Sequence, residues 1–101
     1  MNYIEEVQTE LAKHIKVGKG LMDYYSLLVL LLGEETTLAD VHDAWAVNIN
    51  RTWKKENPTL GEHRSVIPFD QLKEETQIKD QKFVDAIHKT ARNLKERGVT
   101  W

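Results

Sequence analysis

The chain has no cysteine and only a little proline and glycine. Its 101 residues include two prolines and five glycines. Without cysteine, the chain can form no disulfide, no thiolate nucleophile and no cysteine-ligated zinc site. This composition is compatible with a reducing compartment, and we expect the protein to be cytoplasmic.

A large excess of one charge is also missing. Lys and Arg together number 14 and Asp and Glu number 16, so the formal net charge is −2. No overall electric field therefore draws the chain to nucleic acid or to anionic lipid. Residues 70–97 repeat this balance with seven basic and six acidic side chains, which is typical of a solvated helix face. We therefore expect no nucleic-acid partner.

No hydrophobic run is long enough to cross a bilayer. The longest one extends from Leu27 to Leu32, whereas a spanning helix needs about 20 apolar residues. The first residues include Glu5, Glu6 and Glu10 where a signal peptide carries basic residues. We therefore predict neither a signal peptide nor membrane insertion, and we interpret the apolar run as a buried helix.

Apolar residues at helical spacing predict a mainly α protein that forms a single domain. We expect a compact bundle of about four helices. Thr37 is a good N-cap for the third helix, and Asp40 lies three residues later, as in a capping box. The predicted helices cover residues 2–15, 21–32, 38–55 and 74–97.

The segment before the last helix has a different character. Ser65-Val66-Ile67 predicts a short extended or β element. Pro68 suits the start of a helix, so a single helical turn is expected at 69–72. The sequence also allows a break in the last helix near Lys79-Asp80.

The polar residues do not assemble into a catalytic or metal site. His42 and Asp43 are neighbours on a predicted helix and point about 100° apart, so they cannot share a proton directly. Because His42 lies beside the apolar face of Trp45, we interpret it as a buried imidazole bonded to a backbone carbonyl. None of the four histidines has a histidine partner at the i, i+4 spacing of helical metal ligands. We therefore predict no catalytic residues, no metal, no cofactor and no enzymatic activity.

The most suggestive polar cluster lies where the third helix gives way to a loop. It combines an indole with several cations, which suits a phosphate joined to a stackable base. The alternative is that the indole belongs to the core and that the cations form a solvated rim. The predicted ligand-binding residues are Arg51, Trp53, Lys54, Lys55, His63 and Arg64.

Two strings of residues resemble a known family. The first is Leu-Ala-Asp-Val-His-Asp-Ala-Trp-Ala at 38–46, and the second, after Trp53 and His63, is Val-Ile-Pro-Phe-Asp-Gln-Leu at 66–72. With Asp80 and the helix after it, they resemble the RyR domain. This is the repeat module of ryanodine receptors, which also occurs outside those channels in bacteria and phages. The resemblance covers residues 37–97, leaves 1–36 as an N-terminal helical part, and assigns structural motif positions to His42, Trp45, Pro68 and Phe69.

The resemblance implies a compact, mainly helical unit with a ligand-binding or docking role. Bacterial and phage RyR domains are thought to bind nucleotide-derived ligands. We therefore predict a binding module for a phosphate-bearing, nucleotide-like small molecule, and a phage copy could sequester an immune signal in this way. The alternative is a docking or self-associating module, a homo-oligomer without a small-molecule ligand. It is motivated by more apolar residues than short helices easily cover, namely Tyr24, Tyr25, Leu28, Leu31 and Leu32.

Overall fold

Helices account for most of the chain, and no strand is present. The computed structural model describes all residues, 1–101. Three single turns of 3-10 helix, at Gly33–Glu35, Phe69–Gln71 and Ile78–Asp80, join or extend the α-helices. The predicted mainly α bundle is therefore confirmed. The α-helices are α1 (Tyr3–Ala12), α2 (Lys19–Leu31), α3 (Leu38–Glu56), the one-turn α4 (Glu74–Gln77) and α5 (Gln81–Glu96).

Side-chain caps fix where two of the helices begin. Asn2 accepts a hydrogen bond from the backbone N–H of Glu5, and the Glu5 carboxylate accepts one from the backbone N–H of Asn2. Thr37 and Asp40 make the same reciprocal pair at the start of α3. Each capping box satisfies N–H groups that have no partner within the helix. The cap predicted for the third helix is therefore confirmed.

The core lies where α2 and α5 pack against α1 and α3. Its buried apolar side chains are mostly small or aliphatic, and Tyr25 on α2 is the largest of them. The Tyr25 ring packs against Phe83 on α5 with 5.4 Å between the ring centroids. The core side chains are Val7, Leu11, Tyr25, Val29, Val41, Ala44, Val84, Ala86, Ile87, Ala91 and Leu94.

A buried carboxylate joins the two ends of the chain. Glu10 on α1 is only 3% exposed and accepts hydrogen bonds from Asn93 and Arg97 at the end of α5. It also accepts from His14 at 2.7 Å and from Lys13 at 3.4 Å. Burial would raise the pKa of Glu10, but hydrogen bonds from these four side chains outweigh burial and lower the pKa to about 2. The ionised carboxylate thus ties α1 to α5.

The loop before α4 differs from the prediction. Residues 65–67 form no strand, because their backbone turns at 64–65 and bends at 67. The Val66 N–H donates to the carbonyl of His63 across this turn. The helical turn expected after Pro68 is present as the 3-10 turn Phe69–Gln71, and the last helix does break at the 3-10 turn Ile78–Asp80.

The bounds of α1 and α2 differ from the predicted ones. The first helix was expected to reach residue 15 but ends at Ala12, and α2 already begins at Lys19. Among the apolar residues of α2, Tyr25 is buried whereas Leu31 is 69% exposed. None of the helices is both long and apolar enough to span a bilayer.

Candidate functional site

A row of rings joins the two motif strings. His42 stacks on Trp45 one turn further along α3, with ring centroids 5.7 Å apart and an interplanar angle of 26°. His63 contacts the Trp45 ring edge-on at 5.4 Å and the Trp53 ring edge-on at 4.8 Å. Phe69 lies at the other end of the row, 6.1 Å from His42. Residues that are distant in sequence therefore pack the loop at 57–73 onto α3.

Hydrogen bonds from side chains of α3 fix the position of this loop. The His42 side chain is 4% exposed and its Nε2–H donates to the Ile67 carbonyl at 2.7 Å. The predicted buried imidazole bonded to a backbone carbonyl is therefore confirmed. The Trp53 Nε1–H donates to the Gly61 carbonyl at 2.9 Å, eight residues further on. Both bonds satisfy loop carbonyls that no regular element pairs.

Gln77 fixes the end of the same loop. Its side-chain amide donates to the carbonyls of Phe69 and Leu72, both at 3.1 Å. Pro68 precedes the 3-10 turn, and the Gln71 N–H donates back to its carbonyl. The motif positions Pro68 and Phe69 thus shape the path by which the chain returns to α3.

Trp53 and His63 are the only pair of rings among the six residues predicted to bind ligand, and they touch each other. Trp53 is half-buried, and its indole N–H is already bonded within the protein. The His63 Nδ1 atom accepts a hydrogen bond from the Ser65 N–H at 3.0 Å. The polar atoms of these two rings therefore serve mainly to hold the loop.

Arg51 and Lys55 lie on another face of α3. They are four residues apart and border one shallow depression with Thr52 and Glu56. The Arg51 guanidinium carbon lies 5.7 Å from the Tyr24 ring centroid, over α2. Residues two apart on a helix project about 200° apart, so Arg51 points away from the side of α3 that carries Trp53.

The close approach of α2 to α3 explains the position of the Arg51 side chain. Gly20 lies where any Cβ would come within 2.7 Å of Asn48 Oδ1 and 2.8 Å of an Arg51 terminal nitrogen. The Asn48 Oδ1 atom accepts a hydrogen bond from Arg51 at 3.3 Å. Glycine at position 20 therefore leaves the space in which this guanidinium lies.

Lys54 and Arg64 lie apart from each other and from Arg51 and Lys55. Lys54 lies 3.7 Å from the carboxylate of Glu62, and both side chains are well exposed. Arg64 borders a cavity between the loop and α4. The six residues thus do not line one cavity, and of the cations among them only Arg64 lies beside the cleft described next.

The cleft lies between α3 and the chain from Ser65 to Asp80. Its inner pocket has a volume of about 230 Å³ and reaches the stacked rings of His42 and Trp45. Its floor and walls combine aromatic, hydroxyl, cationic and carboxylate groups. The lining residues are His42, Trp45, Ser65, Leu72, Thr76, Lys79 and Asp80.

An outer pocket adjoins the inner one. Its volume is about 460 Å³, and four lining residues, Ser65, Leu72, Thr76 and Lys79, border both pockets. It adds the cations Arg64 and Lys73 and the acidic Glu75. The cleft therefore has an aromatic inner end and a predominantly cationic outer end.

The carboxyl group of Asp80 is electrostatically unusual. It is half-buried at the inner end and makes no hydrogen bond or ion pair within the chain. Burial raises the pKa of Asp80, although the nearby charges of His42 and Lys82 act in the opposite direction. Burial, and secondarily the charge of Asp80, raises the pKa of the core residue Tyr25. Asp80 is thus a partly desolvated carboxyl group with free acceptor capacity.

Several residues of the cleft were not predicted as ligand-binding. The sequence marks Asp80 through the family resemblance and Lys79-Asp80 as a possible helix break, whereas Ser65 and Thr76 carry no functional signal of their own. The break in the last helix near 79–80 was the one local sign that these side chains turn toward α3. No group of three or more His, Asp or Glu side chains is arranged to hold a metal ion.

Comparison with known proteins gives a family but no function. The family described as Domain of unknown function (DUF7701) matches residues 1–92. No curated protein and no solved structure matches the chain. The resemblance of residues 37–97 to the RyR domain therefore stays a prediction.

Proposed function

We propose that this chain, which belongs to the DUF7701 family, is a non-enzymatic binding module for a phosphate-bearing, nucleotide-like small molecule. The ligand would lie in the cleft between α3 and residues 65–80. A cytoplasmic location, where such ligands are found, is part of the proposal, and so is descent from RyR-type modules. The observation that carries it is the junction of an aromatic inner pocket with a cationic outer pocket.

The inner pocket suits a planar ring. Trp45 borders it, and an indole face offers an apolar surface on which a base can stack. Trp45 is itself held by the rings of His42 and His63. A wall fixed in this way loses little conformational entropy when a ligand binds.

The outer pocket suits a phosphate. Arg64, Lys73 and Lys79 border it, and only Glu75 opposes their charge there. Hydrogen bonds between such cations and phosphate oxygens are charge-assisted and stronger than neutral ones. A ligand that joins a base to a phosphate would therefore match the order of groups along the cleft. Of the cations predicted from the sequence, only Arg64 belongs to the proposed binding site.

Thermal unfolding with added ligands tests the proposal. Mononucleotides, cyclic dinucleotides and ADP-ribose derivatives would be added at millimolar concentration. Ligand at 100 times its Kd stabilises the native state by about 2.7 kcal/mol, which for a domain of this size raises Tm by about 10 °C or more. No shift with any of these compounds would contradict the proposal.

A matched pair of lysine variants locates the site. Lys79→Glu reverses a charge that borders both pockets, whereas Lys55→Glu reverses one on the other face of α3. We expect Lys79→Glu to abolish the ligand-induced rise in Tm and Lys55→Glu to keep it. The opposite pattern would assign the ligand to the depression that Arg51 and Lys55 border and would reject the cleft.

A second candidate function is self-association through α2. Leu27 and Leu31, one turn apart, are 47% and 69% exposed. Leu27 borders a groove together with Asp23 and Arg51, and neither charge has an ion-pair partner in the chain. In a two-fold dimer the same patch meets itself, so a second copy could pair each charge with its opposite. This complementarity favours a second copy of the chain as the occupant.

Light scattering over a range of concentrations tests this candidate. If α2 is the interface, the mass approaches that of a dimer and Leu31→Glu returns it to a monomer. Leu60→Glu is the matched control, because Leu60 is 65% exposed but lies in the loop after α3. A monomer at the highest concentration would reject the candidate and leave the small-molecule proposal intact.

A further inference from the structure

We propose that Asp80 makes the inner pocket selective for a guanine-type base, meaning a planar ring that presents two neighbouring N–H donors. This inference rests on the proposed function, because it names the ligand class that the same cleft would accept.

The main support for this inference is that the carboxyl oxygens of Asp80 accept no hydrogen bond within the chain. Its carboxyl group borders the inner pocket with Trp45 and His42, and no donor of the chain is bonded to it. An ionised carboxylate offers two oxygen acceptors and no donor. Because burial partly removes this group from water, a ligand that supplies two donors replaces the lost hydration and gains the most there.

No neighbouring group of the chain is bonded to these acceptors. The His42 Nε2–H is used by the Ile67 carbonyl, so in the neutral ring the remaining Nδ1 is an acceptor. Tyr25 is close enough for Asp80 to influence its titration, yet its buried hydroxyl makes no hydrogen bond. The inner end of the cleft therefore keeps free acceptors on Asp80 and His42. The donors that border it, on Ser65, Thr76 and Lys79, are not bonded to Asp80.

Base chemistry then selects guanine. Its pairing edge presents N1–H and the N2 amino group side by side, and both can donate to one carboxylate. Adenine and cytosine each present a donor beside an acceptor, and uracil presents one N–H between two carbonyls. Each of these would place an acceptor against a carboxylate oxygen, which a site built for donors rejects strongly.

The dimensions agree with this arrangement. The inner pocket, at about 230 Å³, is smaller than the ~300–1,000 Å³ of pockets that enclose whole drug-sized ligands. It therefore suits a single ring system stacked beside Trp45. The rest of the nucleotide would extend into the outer pocket toward Lys73 and Arg64.

Titration calorimetry with GMP, AMP and XMP tests the selectivity. For the unmodified chain we expect GMP to bind at least about tenfold more tightly than AMP or XMP. Asp80→Asn replaces one acceptor by a donor, which matches xanthine, whose N1–H lies beside a carbonyl. The variant should therefore lose GMP affinity at least about tenfold and gain affinity for XMP.

Asp43→Asn is the matched control, since Asp43 is an exposed aspartate on α3 that does not border the cleft. It should bind GMP like the unmodified chain, and circular dichroism should show both variants folded. Equal binding of GMP and AMP, or full GMP binding by Asp80→Asn, would overturn the inference and leave the proposed function standing. If no nucleotide binds the unmodified chain, both fall together.

Discussion

Glu10 illustrates how one side chain can tie the fold together. It is almost completely buried, yet it stays ionised because four donors at the C-terminal ends of α1 and α5 surround it. Removing one partner of such a buried charge network is far more costly than removing an exposed ion pair. The donors Lys13 and Arg97 keep about half of their own surface in water, so the carboxylate is the member whose loss matters most.

Stability should therefore depend on pH through Glu10. Its folded-state pKa of about 2 lies below the ordinary value of 4.5. The resulting stabilisation is fully present above about pH 4.5 and is lost as the pH falls toward 2. We expect Glu10→Gln to lower the free energy of unfolding by about 2–3 kcal/mol at pH 7 and by much less at pH 2. Urea denaturation at several pH values measures both.

Glu96→Gln serves as the control for this pH dependence. Glu96 is exposed at the end of α5 and forms no ion pair. The free energy of unfolding of Glu96→Gln should equal that of the unmodified chain at every pH. If Glu10→Gln lost as much stability at low pH as the unmodified chain does, another carboxylate would be the cause of the pH dependence.

At the scale of elements, two histidines play the same part at different places. His42 on α3 donates to the Ile67 carbonyl, and His88 on α5 donates to the Thr36 carbonyl, both at 2.7 Å. Each imidazole fixes a connecting segment onto a helix by satisfying one of its carbonyl groups. The two segments belong to different parts of the molecule, and only the one held by His42 forms the cleft.

Replacing either histidine should loosen only its own segment. His42→Ala leaves the Ile67 carbonyl unpaired and removes a ring from the packed row, so we expect a loss of about 2–3 kcal/mol. Hydrogen exchange should accelerate at the Val66 and Gln71 amides, which bond within the loop. His88→Ala should instead accelerate exchange at Thr36. Unchanged exchange between 57 and 73 in His42→Ala would contradict this division.

The elements were more predictable than the cleft. Thr37 and Asp40 mark the start of α3 by local chemistry alone, and the break before α5 coincides with Lys79-Asp80. The opposite directions of Arg51 and Trp53 also follow from helical geometry, although proximity in sequence had suggested one patch. The meeting of Arg64 with Lys79 could not be predicted, because it depends on the path of a loop held by side chains far apart in sequence.

At the scale of the whole molecule, the residues beyond the family match complete the fold. The match ends at Arg92, but Leu94 is fully buried in the core. Asn93 and Arg97 supply two of the donors to Glu10. The last turns of α5 thus close the bundle against the first helix.

Two truncations test this dependence. A chain of residues 1–92 loses a buried leucine, worth about 3 kcal/mol, together with two donors to Glu10. Since small domains have only about 5–15 kcal/mol of stability, we expect its thermal transition to become broad or to disappear. A chain of residues 1–98 keeps Leu94 and Arg97, and its Tm should fall by only a few degrees. A sharp transition for residues 1–92 close to that of the full chain would contradict this reading.

The ion pair between Glu10 and Arg97 also affects how the protein folds during its synthesis. The first helix leaves the ribosome long before its partners at the other end of the chain exist. Until those partners arrive, docking α1 would bury a carboxylate without its strongest donors. Growing chains often fold from the N-terminus as they emerge, but this bundle must postpone its final packing until Asn93 and Arg97 have left the ribosome.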